Sequence, residues 1–168
     1  MEKWDLYDNK LDKTNLSVFS DEEIPNGYYH MAIDIWIVNN EKKLMLVKNS
    51  IDYTKLYPDY WVNIGGNLLS NENIEFCIKR VLNDKLGLNI NTFNYEIKHP
   101  IKRDPHKYAY MTCILFEDIN IKNIELSDSN YADINFFTKD EVKRMCNNGE
   151  VAYYLIDRIN DQIIDYLN

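Results

Sequence analysis

Apolar residues fall along this chain in segments of two different periods. From Tyr28 to Asn39 aromatic and β-branched residues dominate and end at Asn39-Asn40, which predicts a strand and a turn. Lys43 to Lys48 (Lys-Leu-Met-Leu-Val-Lys) reads as its hairpin partner. Between Asn71 and Gly87 the period lengthens: Ile74, Ile78, Leu82 and Leu86 recur at helical spacing, Asn73 can cap the start, and Gly87 can close the end. Two further strands are expected at about Phe93 to Ile101 and Tyr108 to Glu117, joined by a polar loop with Asp104-Pro105. Asp133 to Phe137 reads as a short strand, and Thr138-Lys-Asp-Glu141 as a capping box opening a helix toward Gly149. A last helix, about Glu150 to Leu167, carries Leu155, Ile159, Ile163 and Tyr166 or Leu167 on one stripe. This order of elements predicts a mixed α/β domain.

At 168 residues the chain has the length of one domain, expected to span 1–168, and needs no metal or disulfide to complete its core. A net charge of −8 argues against a nucleic-acid binder, whose surface must be basic. No apolar run approaches a membrane span, since Met31 to Val38 is interrupted by Asp34, and the N-terminus lacks a signal-peptide core. A cytoplasmic protein is therefore expected. Cys77, Cys113 and Cys146 are odd in number, far apart and without CxxC spacing, so they read as free thiols.

The segment with chemical content is Gly65-Gly-Asn-Leu-Leu-Ser-Asn-Glu72, followed by Arg80-Val-Leu-Asn-Asp-Lys-Leu-Gly87-Leu88. It resembles the Nudix box: a Gly, five residues, a Glu, seven residues, then Arg-Glu-apolar-x-Glu-Glu-x-Gly-apolar. Gly66, Glu72, Arg80, Leu82, Gly87 and Leu88 fall on that pattern without a gap. Trp4 to Asp8, Tyr29 to Trp36, Tyr57 to Trp61 and Asp133 to Glu141 are similar to flanking segments of a Nudix subgroup that includes isopentenyl-diphosphate-isomerase-like members. The resemblance implies the Nudix fold, an α/β/α sandwich around a central mixed β-sheet. It also implies a hydrolase of diphosphates linked to another, nucleotide-like moiety, with Mg²⁺ or Mn²⁺ as cofactor.

The chemistry of the box follows from its geometry. Glycine lets backbone approach a diphosphate, and positions i, i+3 and i+4 of a helix share one side. Three glutamates there form an oxygen-rich site for a hard divalent ion, which polarises phosphate and supplies the attacking water. In this chain those positions are Val81, Asp84 and Lys85, and a nominal charge of −3 has become zero. Lys85 has no acceptor and repels a cation, so hydrolysis is expected to be weak or absent. In the isomerase-like pattern the catalytic Cys falls on Gly66 and a metal-ligand His on Leu68, leaving His30 alone at a ligand position.

The resemblance assigns catalytic places to Glu72, Arg80 and Asp84, with Asp84 as the remaining metal ligand. Gly65, Gly66, Lys85, Lys102, Arg103 and Lys107 are the candidate substrate contacts, the last three from the basic segment Lys98 to Lys107. Each has a plainer reading. His30 can be structural, Arg80 can anchor the loop through Glu72, Asp84 can pair with a neighbouring cation, and the basic segment can be solvated. Tyr57, Tyr60 and Trp61 can stack on a base, or Trp61 can pack under the glycine turn. A hydrolase, a non-catalytic nucleotide or diphosphate binder and an interaction scaffold all remain open on sequence alone.

Overall fold

The computed structural model describes residues 1–52, 56–126 and 130–168. Strands β1 (Lys3–Tyr7) and β2 (Lys13–Phe19) form an antiparallel hairpin ahead of the main sheet. The main sheet takes β3 (His30–Val38), β4 (Leu44–Asn49), β5 (Trp61–Val62), β6 (Ile64–Asn67), β7 (Asn94–Ile97), β8 (Ile101–Arg103), β9 (Tyr108–Phe116) and β10 (Tyr131–Phe137). Its principal order is β10-β4-β3-β9-β7, with β5 beside β4, β6 beside β3 and β8 beside β9. Strands β3 and β9 run parallel from His30↔Tyr108 to Val38↔Phe116, and the other pairings are antiparallel. The sheet is therefore mixed, as the resemblance implied.

From Ile33 to Val38 every residue of β3 is buried, whichever face its side chain takes. A strand buried on both faces must be covered from both sides. One cover is α1 (Ile74–Leu86), which packs on β3 and β6 through Cys77, Ile78, Val81, Leu82 and Leu86. Its ends are those expected: the Asn73 side chain accepts from the Phe76 N–H, and Gly87 closes the helix at φ 65°. Thr138 and Glu141 form the capping box of α2 (Lys139–Asn147).

Several expectations change. The last helix does not begin at Glu150, because that stretch is occupied by Trp61. The Glu150 and Trp61 carbonyls accept from Trp61 N–H and Ala152 N–H, so α3 starts later and spans Tyr153–Arg158. After Arg158 the helix widens into a π turn, Ile159–Ile163, and ends in a 3₁₀ turn. The apolar stripe still reaches the core through Leu155, Ile159, Ile163 and Leu167.

The strand expected from Phe93 to Ile101 is two strands. Ile97 faces Cys113 while Ile101 faces Tyr110, so one extra residue is accommodated around Pro100, which has no N–H for the ladder. Trp61 does not lie under the glycine turn; its ring meets Phe137 edge-on at 4.9 Å.

Candidate functional site

A cavity of about 780 Å³ opens beside β6. Gly65, Gly66 and Asn67 form one side of it and Lys85 of α1 another. The glycine pair lies within strand β6, and its first role is packing. A Cβ on Gly65 would lie 2.8 Å from the Ile33 carbonyl oxygen, and one on Gly66 would lie 2.8 Å from Val81 Cγ2. Both glycines let β6 close against β3 and α1, and that approach leaves their backbone facing the cavity.

The loop between β6 and α1 is held from two directions. Glu72 accepts from Arg80 Nε at 2.8 Å and Nη2 at 2.9 Å, and also from the Leu69 N–H at 2.9 Å. Arg80 Nη2 donates to the Asn67 carbonyl at 2.8 Å. From the N-terminal hairpin, Asp5 accepts from Ser70 Oγ and the Asn71 N–H, and Glu2 accepts from Asn67 Nδ2. Burial alone would raise the Glu72 carboxyl, but the Arg80 and Leu69 donors outweigh it and hold it below its ordinary value. Arg80 is thus an anchor of the loop. Neither Arg80 nor Glu72 lines the cavity.

On α1 the three family carboxylate positions diverge in space as well as in chemistry. Val81 is buried against Gly66. Asp84 is exposed, 3.9 Å from Arg80 Nη1, and does not line the cavity. Lys85 does line it. Among the described residues no three His, Cys, Asp or Glu side chains cluster closely enough to hold a metal ion. The donor set at the box therefore does not fit the divalent ion of the family. Carboxylates outside the box are engaged: Glu117 accepts from the Asn94 N–H, and Asp34 is paired with Arg158.

The basic segment is divided among different duties. Lys102 Nζ donates to the Asn9 carbonyl and side chain and sits over the Tyr29 ring. Lys107 Nζ donates to the Ile24 carbonyl at 2.7 Å and lies 3.5 Å from Glu23. Of the three candidate contacts here, Arg103 alone lines the cavity, together with His106.

Arg158 and its surroundings have no counterpart in the sequence reading. Its Nη1 donates to Asp34 Oδ2 at 2.6 Å, and its guanidinium lies 3.7 Å from the Tyr110 ring centroid and 5.3 Å from that of Tyr154. Burial raises the Asp34 carboxyl against the opposing pull of Arg158. Tyr57, Tyr153 and Tyr154 cluster on the same cavity, with the Tyr57 ring 5.6 Å from Tyr153 and 4.9 Å from Tyr154. The sequence offers Tyr57 as a stacking residue; the other two sit on α3, whose apolar stripe gives no sign of them. His30 also borders the cavity, stacked on Trp4 at 4.1 Å, and burial pushes its pKa down to about 4. It is neutral at physiological pH.

Comparison with known proteins agrees with this architecture. No protein-family model matches the chain. The uncharacterized Nudix hydrolase lin0387 of Listeria innocua is 23% identical over 163 residues, covering 95% of this chain and 94% of that one. An isopentenyl-diphosphate Delta-isomerase of Dictyostelium discoideum is 25% identical over 142 residues, covering 78% of this chain and 55% of that one. Among solved structures, DR0079 from Deinococcus radiodurans superposes with a TM-score of 0.68 at 15% identity, over 94% of this chain and 98% of that one. A NUDIX hydrolase from Nitrosomonas europaea gives 0.57 at 14% identity, over 85% and 73%. The mixed sheet, the capped helix and the box loop define a Nudix fold. Along nearly its whole length the chain is also similar to relatives that carry the name Nudix hydrolase. No helix of the described residues is long and apolar enough to cross a membrane.

Proposed function

We propose that this chain binds a diphosphate linked to a nucleotide-like moiety in the β6–α1 cavity, and that hydrolysis there is weak or lost. The observation that carries the reading is the lining of the cavity: among the described residues, Lys85, Arg103 and Arg158 border it with one carboxylate, Asp34, in a chain of net charge −8. Its volume of about 780 Å³ is that of a small-molecule site. The backbone of Gly65 and Gly66 offers close approach, Lys85 and Arg103 offer charge to phosphate oxygens, and the Tyr57–Tyr153–Tyr154 cluster offers ring faces to the attached moiety. Arg80 and Glu72 act one step back, by fixing the loop that presents Asn67. Water activation is the missing function, because Asp84 points to solvent beside Arg80 and Val81 is packed away. Isomerase chemistry fits less well, since Gly66 and Leu68 stand at its nucleophile and ligand positions.

A thermal-shift series with nucleoside diphosphates and nucleoside diphosphate sugars, run beside a product assay with Mg²⁺, tests this. Ligand at 100 times its Kd should stabilise the fold by about 2.7 kcal/mol, while product stays at the blank level. A flat melting response to every ligand would favour the scaffold reading. Efficient Mg²⁺-dependent turnover would show that catalysis survives.

A further inference from the structure

We infer that the phosphate site of this cavity works without a divalent ion, with Lys85 and Arg103 in its place, so that free ligand binds in preference to its Mg²⁺ complex. This deepens the proposal that a diphosphate occupies the cavity and rests on it.

The first support is the charge of the lining. Among the described lining residues Asp34 pairs with Arg158 at 2.6 Å, and Lys85 and Arg103 are two further cationic side chains. The second is position. Lys85 stands in the last turn of α1, at a place where the family sets a metal ligand, and it borders the cavity. Arg103 ends β8 and borders the same cavity from the β8–β9 hairpin, so the two cations come from different elements.

The third support is that the carboxylates near the box have other partners. Glu72 is held by Arg80 and the Leu69 N–H, Asp84 faces Arg80, and Asp34 faces Arg158. The remaining box position is filled by Val81, whose Cγ2 comes within 2.8 Å of where a Gly66 Cβ would stand. A divalent ion needs oxygen ligands and finds fixed cations here instead. Those cations attract a bare diphosphate more strongly than one whose charge is already masked by Mg²⁺. Arg103 brings a planar fork that can grip two phosphate oxygens, and Lys85 a compact point charge.

Calorimetric titration of ADP and of inorganic pyrophosphate, in excess EDTA and in excess Mg²⁺, tests the inference. Binding should persist in EDTA and weaken by at least about threefold when Mg²⁺ masks the ligand. Lys85→Gln and Arg103→Gln should each weaken binding in EDTA about tenfold, as loss of a charge-assisted contact does. Both side chains are exposed, so melting of the unliganded variants should match wild type and serves as the folding control. Lys85→Glu should abolish binding in EDTA. Binding that appears only with Mg²⁺, or that ignores both glutamine substitutions, would overturn the inference while leaving a ligand in the cavity. Absence of binding by both ligands under both conditions would overturn it together with the proposed function.

Discussion

Arg80 and Arg158 each grip one carboxylate, yet the two grips do different physical work. Arg80 meets Glu72 eight residues away, in a fork of 2.8 and 2.9 Å contacts, with 28% and 12% of the two side chains exposed. Both partners lie on one loop and the helix that follows it. Arg158 meets Asp34 across 124 residues at 2.6 Å, with 6% and 12% exposed, and ties the C-terminal helix to the central strand. Its Nε is buried without a hydrogen-bond partner among the described residues. The first pair shapes the box loop at a smaller desolvation cost, since Arg80 is more exposed than Arg158 and its donors outweigh burial at Glu72. The second carries a large desolvation cost, compensated by mutual attraction and by the Tyr110 and Tyr154 ring faces. A local pair is therefore a loop device, and a buried long-range pair is a condition of assembling the cavity wall.

The largest expected effect breaks the buried pair. Arg158→Met strands Asp34 in a low-dielectric setting and should lower the unfolding free energy by about 3–5 kcal/mol in urea titration. Asp34→Leu combined with Arg158→Met should recover most of that loss, because no uncompensated charge remains. If Arg158→Met alone is as mild as a surface substitution, burial does not set the two pairs apart.

A smaller effect is expected at the box. Arg80→Ala removes the fork on Glu72 and the contact to the Asn67 carbonyl, and should cost about 2 kcal/mol. This pair also carries a pH signature. Glu72 titrates below its ordinary value of 4.5 in the folded chain, so its contribution is full above that value. It is lost as pH falls through the depressed folded value, where the unfolded chain already holds the proton. Glu72→Gln should flatten that acid limb of the stability curve, and an unaltered limb would show that other carboxylates set it. The smallest effect belongs to Asp84, whose 3.9 Å approach to Arg80 is solvent-exposed: Asp84→Ala should change stability by less than about 0.5 kcal/mol.

Much of the helix-centred part of the fold could be read in advance because its information is local. Asn73 and Gly87 mark the ends of α1, Thr138 and Glu141 mark the start of α2, and the stripe of Leu155, Ile159 and Ile163 marks a buried face. Arg80 and Glu72 were legible as a pair for the same reason, since eight residues across a loop and a helix leave little choice of geometry. The hairpin of β1 and β2 was not legible. Most of the β2 sequence Lys-Thr-Asn-Leu-Ser-Val-Phe is exposed in the fold, so it shows no buried alternate face. The two glycines were read as a phosphate turn, whereas their strand role depends on Ile33 and Val81, which approach only after folding.

The candidate site divides along the same line. Sequence by itself determined that Val81, Asp84 and Lys85 replace a carboxylate cluster, because residue type and helical register suffice to say so. Only the tertiary structure decided which charges face the cavity. Lys102, Arg103 and Lys107 lie within six residues of one another, but the β8–β9 hairpin sets the exposed Arg103 on the cavity and leaves the lysines on Asn9 and Ile24. It also decided that Arg158 reaches Asp34, since that contact joins elements whose separation along the chain leaves no periodic trace. Period and capping report on a residue's neighbours in sequence, whereas a cavity is made by residues that become neighbours only when the sheet closes.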